Sequence, residues 1–159
     1  MKRVLDFTPR MYSAIIEGKK TVTRRPMKPQ PVGPLDGGFW VPSREYYKFS
    51  WRADGDNSKE MQEIIIEGYK KYNYFNYPPV GKNMDFSDPN SCIEYFKIMG
   101  YGVEFLQDID DEAAQKEGVK NVKEFKQIWQ AIYGNTICDW SKNPLVLVVE
   151  FQTNFKIPF

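Results

Sequence analysis

Gly18-Lys19-Lys20-Thr21-Val22-Thr23-Arg24-Arg25 sets four cations and two hydroxyls into eight residues, the first of them a glycine that stops a helix. Nothing in the run is expected to form a core, so it reads as a site for an anion, a nucleotide or a carbonyl group. Upstream, Thr8 followed by Pro9 is a helix start: a hydroxyl cap, then proline at the first helical position. Met11, Ala14 and Ile15 at i, i+3 and i+4 give that helix one apolar stripe. Arg3–Phe7 before it reads as a short strand. After Pro26, the prolines and glycine of residues 28–34 predict a loop, and Gly38–Val41 a strand.

The same alternation of strands and scattered helices continues along the chain. Tyr46–Arg52 reads as a strand, Asp54–Asn57 as a turn, and residues 59–72 as a helix interrupted by Gly68. Residues 73–91 read as a loop. Ile93–Ile98 and Tyr101–Leu106 read as separate strands with a break near Gly100. Asp110 caps a short helix that runs to Glu117 and stops at Gly118. Asn121 with Glu124 forms a capping box, opening a helix whose Phe125, Ile128, Trp129 and Ile132 make one apolar face before Gly134. Leu145–Phe151, bounded by Pro144, is the strongest strand. Strands outnumber helices, which predicts a mixed α+β fold or a small barrel with helices on its rim, rather than a parallel βαβ sheet.

Composition narrows the chemistry. The 159 residues predict a single domain over 1–159, burying roughly 68–70% of the unfolded surface. With no histidine, a Ser-His-Asp triad, a Cys-His pair and a His-liganded metal are all excluded. Acid–base work falls to Lys, Asp, Glu, Tyr or Cys. Cys92 and Cys138 form no CxxC pair, so no zinc site is expected, and a reduced, cytoplasmic setting is. Asp6 interrupts the N-terminal apolar stretch, which argues against a signal peptide. The run Leu145–Val149 is too short to span a bilayer, so no membrane association is expected. No Gly-rich phosphate loop follows a strand, and no cofactor is implied.

Net charge is +1, so no global field draws the chain onto nucleic acid. The charge is nevertheless unevenly placed: residues 1–31 carry eight cations against two carboxylates, and residues 104–117 six carboxylates against Lys116. That points to a local site. Aromatic content of 16% fits cross-strand packing or base stacking. The same two readings apply to the rings and lysines of Tyr69–Tyr77, where packing is favoured.

Within the basic run, Lys19, Arg24 and Arg25 together with burial would depress the pKa of Lys20 and free it as a base for Thr23 or a water. Positions 20 and 23 point to opposite faces of a regular strand, so they cooperate only if the segment turns. Glu117, in the last turn of its helix, faces the negative end of the helix dipole, which suits a proton shuttle. A solvated basic turn and an exposed helix-end glutamate are the plain alternatives.

Three segments together resemble the ASCH family, a branch of the PUA-like β-barrels. They are Val4–Arg25; Leu106–Ala113 through Val119; and Phe125–Gly134 with Asn143, Pro144 and Leu145–Phe151, a little over a third of the chain. Phage and prophage members look closest, since Thr-Arg-Arg leading into Lys-Pro-Gln-Pro and then a Trp-Val strand is typical of them. The family pattern G-x-K-x-x-E-x-R is met by Gly18, Lys20 and Arg25, with Thr23 at the glutamate position. The ASCH enzymes that hydrolyse N4-acetylcytidine share that lysine–threonine spacing and a glutamate in the later short helix. The resemblance thus implies a PUA-like barrel, an amidohydrolase site of Lys20, Thr23 and Glu117, and a lineage-specific elaboration at about 42–92.

The implied partner is a modified nucleoside or RNA. The competing expectation is a non-catalytic RNA-binding module, with Lys19, Lys20, Arg24 and Arg25 on phosphates and Trp40 or a tyrosine stacking on a base. A phage accessory protein acting on a host partner through residues 58–91 is a third. Lys20 discriminates: a phosphate-binding lysine is exposed and charged, a catalytic one enclosed beside Thr23 and Glu117.

Overall fold

The computed structural model describes residues 7–27, 30, 32–35, 38–41, 47–49, 83–85 and 95–154. They form helices α1 (Pro9–Ile16), α2 (Asp111–Lys116) and α3 (Val122–Tyr133), and strands β1 (Val22–Pro26), β2 (Val32–Leu35), β3 (Gly38–Val41), β4 (Tyr47–Phe49), β5 (Asn83–Asp85), β6 (Tyr95–Phe105) and β7 (Leu145–Asn154). The strands make two antiparallel sheets, one ordered β1-β7-β6-β5 and one β2-β3-β4. The expected α+β class is met. Among the described residues neither sheet closes on itself. The expected strand Arg3–Phe7 apart from Phe7, the turn at 54–57, the helix at 59–72 and most of the elaboration at 42–92 lie outside the described residues.

β7 is the centre of the larger sheet. It pairs with β1 on one side and with ten residues of β6 on the other. Leu145, Val146, Leu147, Val149 and Phe151 are all buried. Successive residues of a strand face opposite ways, so the start of β7 is covered on both faces. A strand covered on both faces reads as the continuous apolar run seen here. Gln30 seals its start, donating from Nε2 to the carbonyls of Met27 and Leu145 and accepting from the Leu145 amide.

Four sequence expectations are corrected, one being the loop at 73–91, within which Asn83–Asp85 form β5 against β6. Residues 22–26 are a sheet strand, so the basic run contributes buried positions after all: Lys20, Val22, Thr23 and Arg24 are all buried. Gly100 does not separate a pair of strands; β6 runs through it, with a register shift between Ile98 and Gly100 that absorbs the irregularity. Residues 32–34, expected in a loop, belong to β2. Pro34 fits there because, among the described residues, β2 is an edge strand, paired with β3 at Val32 and Leu35.

The helices begin as the sequence dictates. Thr8 Oγ1 accepts from the Met11 amide, Asp110 Oδ1 from the Ala113 amide, and Asn121 Oδ1 from the Glu124 amide. Glu124 turns its carboxylate to Arg10 on α1. The core lies between α2, α3 and the sheet: Leu106, Ile109, Ala114, Val119, Phe125, Trp129 and Val146. Trp129 donates its indole N–H to the Cys138 carbonyl at 2.8 Å, and its ring centre lies 4.4 Å from that of Tyr133. Among the described residues no helix is long and apolar enough to cross a membrane.

Two left-handed glycines set the approach of α1 to α2. Gly18 (φ +76°) ends α1, letting the amides of Lys19 and Lys20 donate to the Ala14 carbonyl. Gly118 (φ +89°) ends α2 where a Cβ would lie 3.1 Å from Ala14 Cβ and 3.2 Å from Lys20 Cβ, whereas a Cβ at Gly18 would meet open space. Gly18→Ala should therefore cost about 1 kcal/mol, the left-handed strain alone. Gly118→Ala should cost about 2–3 kcal/mol, because crowding is added. Urea unfolding midpoints test this; equal losses would refute the tight approach.

Candidate active site

Lys20 follows α1 and precedes β1, outside the regular strand. It bridges instead to Glu117 at the end of α2. The Thr21 amide donates to the Lys116 carbonyl, and the Phe151 amide to the Thr21 carbonyl, so residues 20–21 span α2 and β7. This turn frees positions 20 and 23 from strict strand alternation, and both border one cavity.

The Lys20 ammonium is 3% exposed. Its Nζ donates to the Val22 carbonyl at 2.9 Å, the Glu117 carbonyl at 3.1 Å and Glu117 Oε2 at 2.7 Å. All three of its N–H groups are therefore engaged. Glu117 Oε1 accepts from Arg24 Nη1 at 2.9 Å, and Arg24 Nε donates to Glu104 Oε1 at 2.7 Å. The four form a chain of alternating charge from β6 to the end of α2.

Burial pushes Lys20 below the usual lysine pKa; the Glu117 charge and hydrogen bond pull it back up, and Arg25 and Arg24 push it down again. The net direction is down. Lys19 takes no part in this chain: its side chain is 70% exposed and pairs with Glu17 at 2.9 Å.

The cavity beside the pair measures about 100 Å³, room for several waters. Lys20, Thr23, Arg24, Arg25 and Glu117 form its polar side. Phe7, Met11 and the α3 face of Phe125, Ile128, Trp129, Ile132 and Tyr133 form its apolar side. The Arg25 guanidinium stands 5.3 Å over the Phe7 ring, and Lys20 Nζ is 5.9 Å from it. A second, roomier cavity of about 290 Å³ lies between α2 and the sheet, bordered by Gly100, Gly102, Lys116 and Glu150, and Arg24 borders both. The ionisable pair faces the smaller one.

The structure thus brings Lys20, Thr23, Arg24, Arg25 and Glu117 to one place and leaves Lys19 on the surface. Trp40 lies on β3 in the other sheet, in register with Val32 and Lys48. Sequence reasoning gave no role to Glu104 or to the apolar wall on α3. Glu104 was visible only as one of six carboxylates in its stretch; the wall was visible as a helical stripe continuing to Ile132, which is 56% exposed. Among the described residues no group of three His, Cys, Asp or Glu side chains is placed to hold a metal ion.

Chemically, the Lys20–Glu117 contact permits one proton to pass from Nζ to Oε2, giving a neutral amine and a neutral acid together. The lowered pKa of Lys20 has a stability consequence. At pH below its folded value both states hold the proton and the burial penalty is full. As pH rises through that value toward the unfolded 10.5, the folded state releases the proton first and the penalty is relieved. The stability of the wild-type protein relative to Lys20→Met should therefore grow as pH rises to 10.5; a flat difference in urea midpoints would refute it.

Comparison of the chain with models of protein families, with curated proteins and with solved structures finds no match.

Proposed function

We propose that the chain is an ASCH-type protein with a PUA-like barrel as its finer architecture, acting on a modified nucleoside or RNA. Its reaction would be hydrolysis of the amide of N4-acetylcytidine to cytidine and acetate, cleaving a non-peptide C–N bond. One observation carries this reading. Lys20 and Glu117, 97 residues apart, meet at 2.7 Å in an enclosed position on the cavity that Thr23 also borders.

That geometry argues against a phosphate-binding role for Lys20. A lysine that holds phosphate must offer it an N–H, and the three on Lys20 are engaged within the protein. A base and acid formed together suit amide cleavage instead, which needs a proton removed from the nucleophile and one delivered to the leaving nitrogen.

The steps balance. The proton moves from Lys20 Nζ to Glu117 Oε2. The neutral amine takes the proton of the Thr23 hydroxyl or of a water as that oxygen bonds to the acetyl carbon. Arg25 and neighbouring amides stabilise the oxyanion. The C–N bond then breaks, and Glu117 returns its proton to the departing N4 amine. Lys20 is again an ammonium and Glu117 a carboxylate. If Thr23 was the nucleophile, water releases acetate from its ester through the same base.

Incubation with N4-acetylcytidine should release cytidine and acetate. Lys20→Met and Glu117→Gln should each lower kcat by about 10²–10⁴-fold. Lys123→Ala, an exposed position of α3, should leave it unchanged. Thr23→Val abolishes turnover if the hydroxyl attacks and spares it if water does. No turnover, together with tight, salt-sensitive RNA binding, would replace the hydrolase reading with the non-catalytic one.

A further inference from the structure

We propose that Arg24, anchored by Glu104, is a positioning residue that assigns the two oxygens of Glu117 to separate tasks: Oε1 to hold the side chain still, Oε2 to exchange a proton with Lys20. The proposal rests on the hydrolase reading for its kinetic consequence, and on geometry alone for its structural one.

Arg24 is built to do this by the sheet. In register across the strands, Arg24 on β1 faces Val148 on β7, and Val148 faces Gly102 on β6. Glu104 lies two residues past Gly102 and so on the same face. With no side chain at position 102, the guanidinium arm can extend across Val148 to Glu104. The Nε contact at 2.7 Å fixes the plane of the guanidinium, and Nη1 reaches Glu117 Oε1 at 2.9 Å. Lys20 Nζ takes Oε2 at 2.7 Å.

Each carboxylate oxygen thus has one cation. Rotating the Glu117 carboxylate would break two charge-assisted hydrogen bonds at a site where Lys20, Arg24 and Glu117 are all buried. A carboxylate held this way can receive the Lys20 proton only on Oε2, the oxygen that already accepts its hydrogen bond. A lysine at position 24 offers no planar fork to join two carboxylates, so the task requires arginine.

Arg24→Gln and Glu104→Gln test it. The first readout needs no turnover: the through-hydrogen-bond ¹⁵N–¹³C coupling between Lys20 Nζ and the Glu117 carboxyl, measured by NMR. It should be present in the wild-type protein and lost or sharply reduced in both variants. The second is kinetic. With N4-acetylcytidine, Arg24→Gln should lower kcat about 100-fold, the scale of a misplaced catalytic group. Glu104→Gln should lower it about tenfold, as an outer-shell partner does. KM should stay within about twofold in both, because neither residue's role is substrate binding.

Arg24→Lys should not restore activity. If Arg24→Gln fails to fold, Glu104→Gln carries the same two readouts. Coupling retained in the folded variants overturns the proposal, as does a rise in KM with kcat unchanged. If the wild-type protein does not turn over the nucleoside, the hydrolase reading falls and the coupling alone decides the role of Arg24.

Discussion

A buried carboxylate cannot be left alone, and much of this structure follows from how Glu117 is accompanied. Taking a charge out of water costs several kcal/mol even after relaxation, and removing one partner of such a set typically costs about 3–5 kcal/mol. Glu117 is 4% exposed and is met by a cation on each oxygen, with Glu104 answering the second cation from beyond. Two cations and two anions come from three places: the turn and strand of residues 20–24, β6 and the end of α2. Each place must be right for the charges to cancel, so the network specifies the register of the sheet and the docking of α2 together.

The apolar elements lower the entropy cost of that placement, since they are ordered anyway. β7 fixes β1 and β6 on either side, which sets the spacing of Arg24 from Glu104. Val119, Ala114 and Leu106 hold α2 against the core, and the lack of a Cβ at Gly118 lets its end come down on Ala14 and Lys20. The hydrophobic core stabilises the chain without specifying charge geometry. The ion network specifies geometry while adding little net stability.

How much of this could be read from the sequence depends on the range of the interaction. Local signals were legible: Thr8, Asp110 and Asn121 as helix caps, Gly18 and Gly118 as left-handed stops, the apolar face of α3, and the run from Leu145 as the strongest strand. Lys20, Thr23 and Glu117 could be singled out as residue types suited to proton transfer. The rest was set by tertiary pairing. That Arg24 points inward and Glu104 matters follows from the register of β1, β7 and β6, which no local pattern encodes. The basic run was expected to stay out of the core because four cations are costly to bury; opposite charges 80 and 93–97 residues away remove that objection. β2 escaped notice because proline counts against a strand unless the strand lies at an edge, and edges are decided by the whole sheet.

The same network bears on why a site with its charges already cancelled could still do chemistry. In water a free lysine and a free glutamate differ by about 6 pKa units, so a proton shared between them stays on the amine. Burial narrows such a gap, because moving the proton removes two charges from a low-dielectric site. Here burial is the largest influence on Lys20 and drives its pKa down. The charges of Arg25 and Arg24 act on Lys20 in the same direction as burial, and the Glu117 charge and hydrogen bond act against it. A site arranged this way holds no exposed base that water could protonate. On the proposed hydrolase reading it would supply base and acid in equal measure to a carbonyl group in the cavity and regain its starting charges as the amine departs.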